Sequence, residues 1–206
     1  MATTTTHYGF DIPQSTDLVK DGATAIATLG QDIDTAMNTA LGTNKAGMVL
    51  LNTTSFSAVS SQSINDVFSA TYDNYKIVLN AIGSTAINIA LRFRVSGSDV
   101  STSTYQINFL FASDTTVSSG RQLTNTSLNL GDCGSSDRLA LTADIHNPFL
   151  SVPTGVATYG MGNYPSANNL SIKSASQSGS TSFTGFTLLP NTGNITGNVS
   201  VYGYNK

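Results

Sequence analysis

The chain has 206 residues, only 10% of them charged, and a formal net charge of −3. That length fits one sizeable domain plus an appendage, and the sparse charge excludes the basic footprint that nucleic-acid binding requires. Its single cysteine, Cys133, excludes an internal disulfide and a thiolate metal cluster.

No charged segment followed by an apolar one opens the chain, so no signal peptide is expected. The apolar runs fall well short of the ~20 residues a membrane helix needs, so no membrane insertion is expected. Polarity comes instead from Ser, Thr, Asn and Gly. Such a neutral, hydrogen-bonding surface suits large β assemblies and carbohydrate contact, and equally a plain low-charge β protein.

Residues 1–17 show no periodicity and read as an extended arm, with Pro13 barring helix just before it. Ser15, Thr16 and Asp17 offer N-cap oxygens for a helix starting near Leu18. From there Val19, Gly22, Ile26, Leu29, Ile33, Ala36 and Ala40 follow alternating gaps of three and four, a heptad pattern. Val19, Ile26 and Ile33 take the a positions, and Leu29 is the one strong d residue. The expected oligomer seam is therefore Val19, Ile26, Leu29, Ile33, Ala36 and Ala40. Packing of this helix on its own β domain is the competing arrangement. Gly22 and Gly30 each cost roughly 1 kcal/mol against Ala, so β domains must help hold such a seam together. Gly42 reads as the helix stop, and 18–47 as helix plus linker.

From Met48 the period changes to two. Tyr75–Ile82 reads as a buried strand, and Ile87, Ile89, Leu91, Phe93 and Val95 alternate with polar or small residues. Tyr105, Ile107, Phe109 and Phe111 repeat the pattern, as do Leu139, Leu141, Ala143 and Ile145. Weaker strands are expected at 48–51, 55–59, 122–130, 156–161, 170–173, 182–189 and 198–204. Short strands without intervening helix predict a mainly β fold: arm and helix, then an antiparallel β-sandwich head of jelly-roll type over 48–206.

The chemistry of catalysis is thin. The two histidines, His7 and His146, lie in the arm and at a strand end, and neither a G-x-S-x-G elbow nor an H-E-x-x-H pair occurs. All twelve acidic residues are Asp, mostly beside turn formers, so a pair of glycosidase carboxylates is not evident. Asp132 and Asp137 flank one loop but supply few of the six to eight oxygens Ca²⁺ takes. No enzyme activity, cofactor or metal is expected. Arg92 and Arg94 share one strand and offer partners for an anionic sugar or a neighbour's carboxylate. Tyr159, Asn163 and Tyr164 combine rings with an amide, the equipment of a glycan contact; packing across the sandwich or a subunit interface is the structural alternative.

The run Tyr8-Gly9-Phe10-Asp11-Ile12-Pro13-Gln14-Ser15-Thr16-Asp17-Leu18-Val19-Lys20-Asp21-Gly22, followed by Ala25-Ile26-Ala27-Thr28-Leu29-Gly30-Gln31-Asp32-Ile33-Asp34, resembles the N-terminal segment of tailed-bacteriophage virion proteins. These are chiefly tail-fibre, receptor-binding and baseplate components, and the resemblance spans residues 7–38. It implies a homotrimeric tail fibre, made in the bacterial cytoplasm and carried on the virion, that attaches to the host through its β head. Residues 1–17 would dock onto other virion proteins through Tyr8, Phe10, Ile12 and Pro13, and the head would meet a host-surface glycan. A capsid-decorating or neck fibre, a baseplate part without receptor contact, and a free-standing carbohydrate-binding module are the alternatives.

Overall fold

The computed structural model describes residues 3–6, 8–12, 18–41, 47–113, 115–162 and 169–206. They form two compact units, one ending at Gly47 and one running from Met48 to Tyr204.

In the first unit, β1 (Thr3–Thr4) pairs antiparallel with β2 (Asp11–Ile12). The Thr5 N–H donates to Phe10 O at 2.9 Å, the Gly9 N–H to Thr5 O at 3.0 Å, and the Phe10 N–H to Thr5 Oγ1 at 2.9 Å. Gly9 holds φ +68°, a conformation that costs glycine nothing. The arm therefore doubles back as a small hairpin, not the extended segment expected, because one hydroxyl and one glycine close its turn. The rings of Tyr8 and Phe10 stack with centroids 5.5 Å apart.

A 3₁₀ turn at Val19–Asp21 leads into α1 (Gly22–Leu41). The expected N-cap residues, together with Pro13 and Gly42, lie outside the described residues. Half-buried positions recur at Gly22, Ala25, Leu29, Asp32 and Ala36, and the turn of the arm lies beside Asp32, Thr35 and Ala36. The adjoining stripe of Val19, Ile26, Ile33 and Met37 is exposed, Val19 at 97% and Ile26 at 67%. The expected seam thus divides: Leu29 and Ala36 are partly covered, while Val19, Ile26, Ile33 and Ala40 face outward.

The second unit contains β3 (Met48–Val59), β4 (Gln62–Ile64), β5 (Asn74–Gly83), β6 (Ile87–Val95), β7 (Ser98–Asp99), β8 (Tyr105–Ser113) and β9 (Thr116–Asn125). β10 (Leu128–Cys133), β11 (Leu139–His146), β12 (Thr154–Gly162), β13 (Asn169–Gln177), β14 (Gly185–Pro190) and β15 (Ile195–Tyr204) complete it. The single strand expected over 122–130 is two, β9 and β10, separated at Thr126 and Ser127 and belonging to different sheets. The two expected at 48–51 and 55–59 are one continuous strand, whose register shifts let it bend without breaking.

The larger sheet runs β3-β15-β5-β11-β12-β13-β8-β9 and the smaller β10-β6-β14-β4, with β7 beside β6. All pairs are antiparallel. Eight strands form the core of the sandwich, β3-β15-β5-β11 in one sheet and β4-β14-β6-β10 in the other. Numbered along the chain they run 1-8-3-6 and 2-7-4-5, the strand order of a jelly roll. Two hairpins are inserted into that plan, β8–β9 between β6 and β10, and β12–β13 between β11 and β14. Both join the larger sheet beyond β11, so it overhangs the smaller one.

Alternation builds the core: β5 and β11 bury every second side chain, so Ile77, Leu79, Leu141, Ala143 and Ile145 face inward. An aromatic cluster packs between the sheets, with Phe93 stacked on Phe183 at 4.8 Å and on Tyr105 at 6.3 Å. Buried tyrosines tie loops to this cluster through their hydroxyls. Tyr105 Oη accepts from the Phe93 N–H at 3.0 Å and donates to Val100 O at 2.7 Å, and burial pushes its pKa up to about 12. Tyr105→Phe leaves both backbone groups without that partner. Its expected cost is about 1–3 kcal/mol, read as a lower urea midpoint with an unchanged m-value.

Candidate functional site

The overhang creates the candidate site. β10 is the edge strand of the smaller sheet and lies over β8, β12 and β13 of the larger. Register aligns the residues beneath it. One row across the larger sheet is Ala143, Thr158, Lys173, Phe109 and Gly120, and the next is Leu141, Gly160, Ser171, Phe111 and Ser118. Where the sandwich proper presents Leu, Ile and Val inward, this extension presents Gly, Ser, Thr and Lys. Small side chains leave space, and the result is a groove of about 240 Å³ between the sheets.

Two glycines shape it. A Cβ on Gly120 would fall 2.5 Å from the Phe109 ring, so its absence lets that ring lie over β9. A Cβ on Gly160 would fall 2.8 Å from the Leu141 Cβ. The wall facing the floor is Asn129, Leu130, Gly131 and Asp132 of β10, where a register shift between Asn129 and Gly131 interrupts pairing with β6.

Lys173 joins the two sheets. Its Nζ donates to Asn129 O at 3.1 Å and to Asn129 Oδ1 at 2.8 Å. The side chain is buried, and desolvation draws its pKa down to about 8, with the negative charge of Asp132 opposing the shift. Asp132 itself accepts from Asn88 Nδ2 at 2.9 Å. The Ser171 hydroxyl is buried and has no hydrogen-bond partner among the described residues. Asp132 is the one carboxylate among the described residues lining the groove.

The residues singled out from sequence fall elsewhere. Tyr159 projects from the outer face of the larger sheet, 62% exposed. Its cross-strand neighbours there are Thr142 and Ile172, with Leu110 one strand further along the same row. Met161, Leu170, Ala112 and Val117 form the adjoining row. Tyr159 therefore stands in apolar company, while Asn163 and Tyr164 lie outside the described residues. Tyr8, Phe10 and Ile12 belong to the arm hairpin. Arg92 and Arg94 are engaged within the chain: Arg92 Nε donates to Thr126 O at 3.0 Å, and Arg94 pairs with Asp99 and donates to Asn65 and Thr187. His146 ends β11, its Nδ1 3.1 Å from Asn74 Oδ1. Cys133 is buried at the end of β10, and desolvation pushes its pKa up to about 11.

Among the described residues no three His, Cys, Asp or Glu side chains converge as metal ligands, and no helix is long and apolar enough to cross a membrane. Fold and groove together define a jelly-roll domain with a polar cleft under one sheet edge. Neither a protein-family model nor a curated protein matches the chain.

Proposed function

We propose that the chain is a structural protein of a tailed-phage virion, a homotrimeric fibre that mediates attachment to the host surface through its jelly-roll head. The observation that carries this reading is the exposed apolar stripe of Ile26, Ile33 and Met37 on α1, continued by Val19 of the 3₁₀ turn before it, on a helix whose neighbouring face is already half-covered. A stripe at heptad spacing is the surface that a copy of the same helix covers best. The outer-face patch around Tyr159, Ile172 and Leu110 is a second apolar surface that identical subunits would bury. The arm hairpin, with Tyr8 75% exposed, supplies the segment that docks onto the particle. The resemblance of residues 7–38 to phage virion proteins supports the same reading. The role asks for assembly and binding, not catalysis.

Light scattering on the purified chain tests the assembly. The expected mass is three times the 21.5 kDa of one chain, and the double variant Ile26→Asp, Ile33→Asp should give a folded species of single-chain mass. A wild-type protein that sediments as a monomer would refute the fibre reading. Antibody labelling of particles tests the location: signal at the tail supports it, and signal confined to the head overturns attachment.

A further inference from the structure

We infer that the groove between β10 and the β8–β9 and β12–β13 hairpins binds a single neutral sugar ring. Three features select that ligand class. Size comes first: about 240 Å³ lies below the ~300–1,000 Å³ of sites that take drug-sized molecules, so the cleft holds one ring and not an extended chain. Chemistry comes second. Phe109 and Phe111 line one side, and Asn129, Ser118, Gln122 and Ser171 bring amides and hydroxyls. A sugar ring needs both at once, apolar C–H faces against aromatic carbon and hydroxyls that donate and accept. The buried Ser171 hydroxyl, without a partner among the described residues, is already desolvated and gains a hydrogen bond from such a ligand at little further cost.

Charge is the third. Among the described residues, Lys173 and Asp132 are the charged ones lining the cleft, and they carry opposite signs. Two of the three Lys173 N–H donors already go to Asn129. An anion would gain the ammonium but face the Asp132 carboxylate, and a cation would meet the reverse. A neutral polyol meets neither penalty. An apolar ligand would strand the Ser171 hydroxyl and the Asn129 amide. The site lies on the inward face of the larger sheet, away from Tyr159, so it is distinct from the patch assigned to subunit contact.

This inference deepens the attachment reading, since three grooves on one fibre would turn weak ring contacts into firm adhesion through effective concentration. Its test is independent of the assembly. Saturation-transfer NMR on the purified full chain, with glucose, galactose, N-acetylglucosamine and rhamnose as separate probes, should show saturable transfer from at least one of them. Ser118, exposed at the rim on β9, can be enlarged without entering the core: Ser118→Trp should abolish the signal while thermal unfolding stays unchanged. Ser171→Ala should weaken binding roughly fivefold, the loss of about one hydrogen bond. Binding of no probe, or undiminished binding by Ser118→Trp, overturns the proposal, even for a protein that proves to be a trimer. Equally, sugar binding by a monomer would uphold the groove and refute the fibre.

Discussion

Phe93→Ala is expected to lower the free energy of unfolding by about 3–5 kcal/mol, the range for deleting a phenylalanine from a packed core. Phe93 is fully buried in the C-terminal half of β6. Its ring stacks on Phe183 at 4.8 Å and Tyr105 at 6.3 Å, with Phe68 at 6.3 Å on another side. Because Phe183 precedes β14 and Tyr105 opens β8, the ring joins segments distant in sequence, and the truncated site cannot collapse by moving one strand. Aromatic pairs add about 0.5–1.5 kcal/mol beyond area burial, which places the loss in the upper part of that range. Against a usual stability of about 5–15 kcal/mol, the variant should unfold at markedly lower urea. Phe93→Leu, which keeps most of the volume, should lose less than half as much. Equal losses for the two variants, or a loss below 1 kcal/mol for Ala, would show that the cluster does not act as a packed unit.

Strands β5, β6 and β11 of the sandwich were legible because burial and alternation agree there, whereas β4 was not expected and β10 was read as one strand with β9. β6 spans Ile87–Val95, the boundaries its alternation predicts, and β5 and β11 differ from expectation by at most one residue at their ends. Strands β8, β12 and β13 of the overhanging hairpins were expected too, but the face that β13 turns inward was not. Its sequence alternates Leu170 and Ile172 with Asn169, Ser171 and Lys173, which read locally puts the aliphatics inside. The structure has the opposite arrangement: Ile172 is 42% exposed, and Lys173 is buried at 9%. Tertiary context decides the face, because β10 hangs over the polar side and supplies the Asn129 acceptors that make burying an ammonium tolerable. The groove was invisible for a related reason. Phe109, Asn129 and Lys173 come from three strands of two sheets, and no local spacing encodes their meeting. An available signal was the concentration of Gly160, Gly162, Asn169 and Ser171 on strands that elsewhere would carry large aliphatics, since a sheet face made of small residues has no core of its own.

In the arm the opposite happened. Gly9 is a residue type that forms turns, but without a hydrophobic period nothing announced a hairpin, and its closure rests on two backbone hydrogen bonds and the Thr5 hydroxyl. The helix was legible in its period, yet which stripe a second copy would cover depends on where the arm lies. Asp32 and Ala36 sit beside the arm's turn, and this leaves the a positions as the open face.

Stability should pass through a maximum near pH 9, an uncommon position set by two buried groups of opposite sign. Lys173 has its pKa drawn from 10.5 to about 8 in the fold. Between those values the unfolded chain holds a proton that the folded chain has released, so stability rises with pH. Cys133 has its pKa raised from 9.0 to about 11. There the folded chain keeps a proton that the unfolded chain has lost, so stability falls as pH climbs through that range, and Tyr105, raised from 10.0 to about 12, adds to the fall above pH 10. Each pKa unit corresponds to about 1.4 kcal/mol, so Lys173 should add about 1 kcal/mol from pH 8 to 9, part of which the thiol, with an ordinary pKa of 9.0, already offsets as pH nears 9. Urea midpoints at pH 7, 8, 9 and 10 measure this directly. Lys173→Met should erase the rise below pH 9 while keeping the fall above it, and Cys133→Ala should soften the fall while keeping the rise. The slope is the quantity to compare, because Lys173→Met also leaves Asn129 O and Oδ1 without their donor and so lowers stability at every pH. A wild-type midpoint that stays flat from pH 8 to 9, or a rise that survives Lys173→Met, would mean the ammonium is better solvated than its burial between β13 and β10 implies. The groove would then be wetter than a site able to strip water from a sugar ring.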